Sequence, residues 1–242
     1  MTQSGAMHQT GNSAGGRGPV LALVLSCMAG AAGAADEWTA CPENGWYATG
    51  GDAEERLLVC RGVAAAAGVL AGCGLDVKQA GRVRLVDELP VFCDSAAYGL
   101  FDAQAAEIRL GRPGLCVATA PTGSAFLSLP VEAAFMALAS HEAAHALIFA
   151  LGLGAERRLE HEYIAGVVQH SVLDPEQRDL ALDAVGALPP DSEAEFNAFL
   201  LFMAPERYSA KAWLHFESRS DGCVFLRGLV SGAVRLPDLP NL

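Results

Sequence analysis

The apolar positions of this chain change period near residue 130. In the first half, Val83-Arg84-Leu85-Val86 alternates and is closed by Leu89-Pro90. A second extended stretch runs from about Val91 to Phe101, and Glu107-Ile108-Arg109-Leu110 alternates up to Gly111-Arg112-Pro113-Gly114. Alternation of this kind predicts half-buried strands, and three of them make a small sheet, mixed or antiparallel. One helix is expected here, the Ala-rich segment Arg61 to Ala71, stopped at Gly72-Cys73-Gly74. Asp36 to Gly51 reads as an irregular surface segment.

From Pro130 onward the spacing is helical. Val131 to Leu151 is a long apolar run that starts after Pro and stops at Gly152. Glu156 to Leu173 follows, ended by Asp174-Pro175, and then Pro175 to Val185. Asp191-Ser192 is positioned to cap a fourth helix through about Met203, with Glu193 and Glu195 in its first turn. Pro205 to Glu217 is a fifth, before a last apolar stretch from Cys223 to Leu229. A sheet-bearing first half and a helical second half predict an α+β fold.

Hydrophobic residues make up 52% and charged ones 18% of the 242, which excludes a disordered chain. The formal net charge is -12. The basic clusters are confined to Arg82-Val83-Arg84 and Arg157-Arg158, so nucleic acid is not an expected partner. Residues 1–34 read as an export signal. Arg17 precedes the apolar run Val20 to Leu25, and Ala32-Gly33-Ala34 forms a cleavage pattern. Met7 is an alternative start, and Val24-Leu25-Ser26-Cys27 loosely matches a lipid-attachment site at Cys27. The expected location is periplasmic or secreted, with residues 35–242 as one domain and no membrane span in the mature form. Six cysteines remain after cleavage: Cys41, Cys60, Cys73, Cys93, Cys116 and Cys223. In an oxidising compartment they form up to three disulfides. Cys60 with Cys73 and Cys93 with Cys116 are the attractive local pairs.

The chemistry concentrates in the helix from Val131. His141 and His145 are four residues apart, which puts both imidazoles on one helical face, where they can share one metal ion. Glu142 lies about 100° around the helix, in reach of a metal-held water rather than of the metal. Two His and one Glu on an otherwise apolar helix are costly to bury without a strong partner. A catalytic zinc takes three protein ligands and keeps one position open. The next helix offers Glu160, His161 and Glu162. Glu162 is favoured by phase, sharing a face with Ala165, Gly166 and Gln169. Small residues there should let the second helix approach the first. His161 is the runner-up ligand, and Glu160 faces elsewhere with Arg157 and Arg158 as ion-pair partners. Ser140 is expected to bond within its own helix.

His141-Glu142-Ala143-Ala144-His145 followed by Glu162-Tyr163-Ile164-Ala165 resembles the gluzincins, zinc metallopeptidases with H-E-x-x-H and a Glu on the next helix. It is also similar to uncharacterised exported bacterial proteins with an Ala-rich H-E-x-x-H helix and an E-Y-I-A-x-V-V-Q second helix. The resemblance spans about residues 131 to 173. It implies a zincin-like fold, Zn2+ held by His141, His145 and Glu162, and peptide or protein substrates. Hydrolysis would use zinc-activated water with Glu142 as general base. The strand nearest the cleft, Glu107 to Leu110 on this reading, would pair with an extended substrate. Tyr208 and His215 are the candidate oxyanion donors. A zinc-binding scaffold without hydrolysis, serving as a partner-binding module, is the alternative.

Overall fold

Four strand pairings build one five-stranded mixed sheet in the first half of the protein. A computed structural model describes residues 37–42, 45–89, 91–92 and 95–237. The expected export signal, with Cys27 and the cleavage site, lies outside them. Strand β1 (Thr39–Ala40) pairs antiparallel with β2 (Tyr47–Thr49). Helix α1 (Ala53–Gly72) then crosses to β3 (Arg82–Val86), which lies parallel to β2. A hairpin of β4 (Val91–Phe92) and β5 (Ser95–Ala96) stands apart. Strands β6 (Gly99–Asp102) and β7 (Glu107–Gly111) close the sheet in the order β1-β2-β3-β7-β6. Val83 and Leu85 on β3, and Ile108 and Leu110 on β7, are buried, while their alternates are partly exposed. The alternation read from the sequence is therefore the pleat of a half-buried sheet.

Helix α2 (Pro113–Thr119) precedes the two long helices, α3 (Val131–Ala150) and α4 (Arg158–Ser171). Four more follow: α5 (Pro175–Ala184), α6 (Ala198–Met203), α7 (Pro205–Ser218) and α8 (Gly222–Ser231). The architecture is mixed α+β, with the sheet early and the helices late, as the change of period predicts. Helix α3 is the centre of the core, burying Phe135, Ala139, Ala143, Ala144, Leu147 and Ile148. It is also long and apolar enough to cross a membrane, but it is mostly buried inside the protein.

Several boundaries differ from the sequence reading for identifiable reasons. Helix α1 starts at Ala53 rather than Arg61, because Asp52 accepts from the backbone N–H of Glu54 and Glu55 while Glu55 bonds back to the Asp52 N–H. The Gly111-Arg112-Pro113-Gly114 segment starts α2, with Pro113 in its first turn. The fourth predicted helix is broken. Glu193–Glu195 is a short 3-10 turn, and Asn197 restarts the chain as α6 by accepting from Leu200 N–H. Gly166 faces α7 rather than α3: a Cβ on it would lie 2.8 Å from Ser209 Cα. Helix α4 is sandwiched, and its glycine serves the other side.

Among the described residues the disulfides are Cys41–Cys60 and Cys73–Cys223. The expected Cys60–Cys73 pair is not formed, because Cys60 lies two turns inside α1 and Cys73 caps its far end. About 20 Å of helix separates them, several times a disulfide's reach. Cys116 is a buried free thiol donating to the Gly111 carbonyl at 3.3 Å, so it is not paired with Cys93, which lies outside the described residues. Burial pushes that thiol up to about 12. Two disulfides are consistent with an extracellular or periplasmic protein. The Cys73–Cys223 bond joins residues 150 apart, so a Cys73→Ala, Cys223→Ala variant is expected to lose about 3–5 kcal/mol in urea unfolding. An unchanged midpoint would show that the bond does not constrain the unfolded chain.

Candidate metal centre

Helices α3 and α4 run back on each other through the turn at Gly152, where φ is +96°. This return brings one turn of α3 against the first turns of α4. His141 Nε2 and His145 Nε2 lie 3.1 Å apart. Glu162 Oε2 is 3.4 Å from the first and 3.9 Å from the second. A tetrahedral ion held at 2.0–2.1 Å spaces its ligand atoms by about 3.3 Å. The three side chains thus fit three corners of such a site, and His141, His145 and Glu162 could hold a metal ion.

Hydrogen bonds behind this face fix which nitrogen is bare. The Leu153 carbonyl can only accept, so His161 Nε2 carries the proton of their 3.1 Å bond. His161 Nδ1 is then an acceptor, and it faces His145 Nδ1 at 3.4 Å. His145 therefore carries its proton on Nδ1 and presents a bare Nε2 to the site. His161, the runner-up ligand by sequence, instead orients a ligand from behind. Burial lowers the His161 pKa, and burial, with His141 and Arg158 as positive neighbours, lowers His145 to about 3 against the pull of Glu162. Burial thus favours the neutral form of both rings, the form in which His145 could ligate a metal.

His141 completes the face. Burial alone would lower its pKa, but the Glu162 carboxylate, with Glu142 and the Gln169 side chain, raises it above the ordinary imidazole value. Burial alone would raise Glu162, yet His145, His141 and Arg158 hold it down at about 2. The Glu162 carboxylate thus favours positive charge on this face. A bound cation would meet the same demand.

Glu142 is different. It is 6% exposed, and burial lifts its carboxyl to about 7, with the Glu162 charge adding to the rise. His141 and a hydrogen bond from the Phe101 backbone N–H oppose it. That N–H belongs to β6, the edge strand, which comes close because residue 99 is glycine. A Cβ on Gly99 would sit 2.5 Å from Glu142 Cγ. The strand along the cleft is therefore β6, not Glu107 to Leu110. Those residues form β7, hydrogen-bonded on both sides by β3 and β6. A cavity of about 980 Å³ opens from the three donors, along β6 on one side and between α3, α4 and α5 on the other.

The remaining sequence candidates lie elsewhere. Tyr208 is fully buried, its hydroxyl donating to the Leu159 carbonyl at 2.8 Å. His215 Nδ1 is hydrogen-bonded to the Tyr163 hydroxyl at 2.7 Å, among Phe196 and Phe225. Neither lines the cavity, so the expectation of an oxyanion donor from α7 is corrected: both polar groups are committed to holding α7 on α4 and its neighbours. Glu160 is an ion-pair partner of Arg157 at 2.7 Å, both buried, and accepts from Leu236 N–H. Ser140 Oγ donates to the Ala137 carbonyl within its helix. Gly99, the Phe101 N–H and the Leu153 carbonyl were not found from sequence, where nothing ties a strand or a turn to one particular helix turn.

Residues 47–238 match the model of a family of unknown function, DUF6639, and the chain belongs to that family. No curated protein and no solved structure matches it.

Two measurements check this geometry. Because the His141 pKa is raised, metal binding should compete with a proton on His141, and affinity should fall as pH falls. Calorimetry in buffers of different ionisation enthalpy reads that proton, and its absence would remove His141 from the ligand set. His161→Ala should weaken metal affinity by about 10–100-fold through loss of the bond behind His145.

Proposed function

We propose that this protein is an exported zinc-dependent peptide hydrolase with a zincin-like fold of the gluzincin subtype. Support comes foremost from one juxtaposition: the Glu142 carboxyl stands between the His141-His145-Glu162 face and the free edge of β6. Two imidazoles and a carboxylate suit zinc with one open position. When bound, zinc supplies Lewis-acid activation of water and of a carbonyl oxygen.

The chain's own groups do the rest. Glu142 accepts the proton of the attacking water and returns it to the leaving amine, and a carboxyl held near 7 suits both transfers at neutral pH. The Phe101 N–H fixes its orientation without ionising it fully. The substrate lies extended along β6, adding a strand through backbone hydrogen bonds. Export agrees with the two disulfides and with the leader read in residues 1–34.

Glu142→Gln should keep its zinc and lose hydrolysis of an unfolded protein or a peptide library by about 100-fold or more. His141→Ala should lose both. Gly99→Ala should act like the first, because its methyl group displaces Glu142. Wild-type protein that binds zinc stoichiometrically and cleaves nothing would sink the enzyme reading in favour of a partner-binding scaffold.

A further inference from the structure

His145 has a partner behind it, and His141 has none. The Nε2 of His141 faces His145 and Glu162. Its other ring nitrogen, Nδ1, is buried and makes no hydrogen bond among the described residues. A neutral imidazole that offers a bare Nε2 carries its proton on Nδ1. That N–H is shut off from the cavity and from water, so its acceptor has to be a group of the chain itself.

Helix α4 supplies a candidate. Gln169 follows Glu162 by seven residues, close to two full turns, so both lie on one face of α4. Because α4 runs back along α3, residues beyond Glu162 lie towards His141 and away from His145. Gln169 is half-buried, and its side chain acts on the His141 ring as a hydrogen-bond acceptor does, favouring the protonated form. The two nearby carboxylates are engaged elsewhere: Glu162 faces the Nε2 side, and Glu142 accepts from the Phe101 N–H. The carboxamide is itself steered from α7. Ser209 is 6% exposed, and its hydroxyl donates to Gln169 Oε1 at 3.4 Å. Helix α7 comes this close because residue 166 is glycine, where a Cβ would lie 2.8 Å from Ser209 Cα. A carbonyl oxygen has two lone pairs, so Oε1 can take the Ser209 O–H and a ring N–H together.

We infer that Gln169 is a positioning residue for His141, its carboxamide oxygen accepting the Nδ1–H of that ring while Nε2 ligates the metal. The inference rests on the zinc-binding part of the reading above and not on peptide hydrolysis. The series Ser209, Gln169, His141 then mirrors Leu153, His161, His145, and each histidine ligand is oriented from behind by a side chain of α4.

Zinc affinity is read on the full chain by competition with a chromophoric chelator. Gln169→Leu, similar in size but without an acceptor, should bind zinc about 10–100-fold more weakly. Gln169→Glu, which restores an acceptor of the same length, should return the affinity to the wild-type value or tighter. Ser209→Ala should weaken binding by a smaller factor. Cobalt-substituted protein adds a readout that packing alone does not move. Each imidazole bound through Nε2 gives one shifted, solvent-exchangeable Nδ1–H signal in the proton NMR spectrum. Wild-type protein should show two; Gln169→Leu should lose one to rapid exchange with water, and His161→Ala the other. Equal zinc affinity in wild type and Gln169→Leu, or a loss that Gln169→Glu does not restore, would overturn the inference and leave the hydrolase reading standing. Persistence of both ring signals in Gln169→Leu would do the same. If Gln169→Leu does not fold, Ser209→Ala decides, and unchanged affinity with unchanged exchange there counts against the inference. Wild-type protein that takes no zinc would overturn both readings.

Discussion

The structure is organised by the cost of keeping ionisable groups inside an apolar helix. Helix α3 is a core element, yet one turn of it carries His141, Glu142 and His145. In such surroundings each group is tolerable only with a partner aimed at it. Those partners come from elsewhere in the chain: Glu162 and His161 from α4, and the Phe101 N–H from β6. The docking of α4 and of the sheet edge is therefore tied to one turn of one helix. Slippage of either element by a residue would leave charge buried without compensation, so the site and the fold specify each other.

Two carboxylates share this small volume with opposite fates. Glu162 faces His141, His145 and Arg158, and stays ionised at about 2. Glu142 is turned towards the sheet edge, feels Glu162 as a like charge, and rises to about 7. Environment, not residue type, divides them into a permanent anion and a group able to exchange a proton. Nothing in the side chains themselves would tell a ligand from a base.

This division also marks how far the sequence could be read. The i, i+4 spacing of His141 and His145 and the helical phase of Glu162 are local properties, visible in the order of residues, and the three side chains do converge. The strands β3 and β7 and helices α3 and α4 were legible from their period. What was not legible depends on docking. Gly99 looks like any loop glycine until β6 is placed over Glu142. Tyr208 and His215 look like polar groups available to a site, but helix α7 packs against α4 and commits their polar atoms to Leu159 and Tyr163. Cysteine pairing failed for the same reason: Cys60 and Cys73, held apart along one rigid helix, cannot meet.

The long disulfide has a topological consequence. The Cys73–Cys223 bond closes a covalent ring around 150 residues of chain, and His141, Glu142, His145, Glu162 and β6 all lie inside it. The ring cannot close until the last described helix has been made, so the covalent enclosure of the site is a late event in biogenesis. Once closed, it makes a single cut in any loop of the ring incapable of releasing a fragment. Such a ring keeps a nicked molecule in one piece.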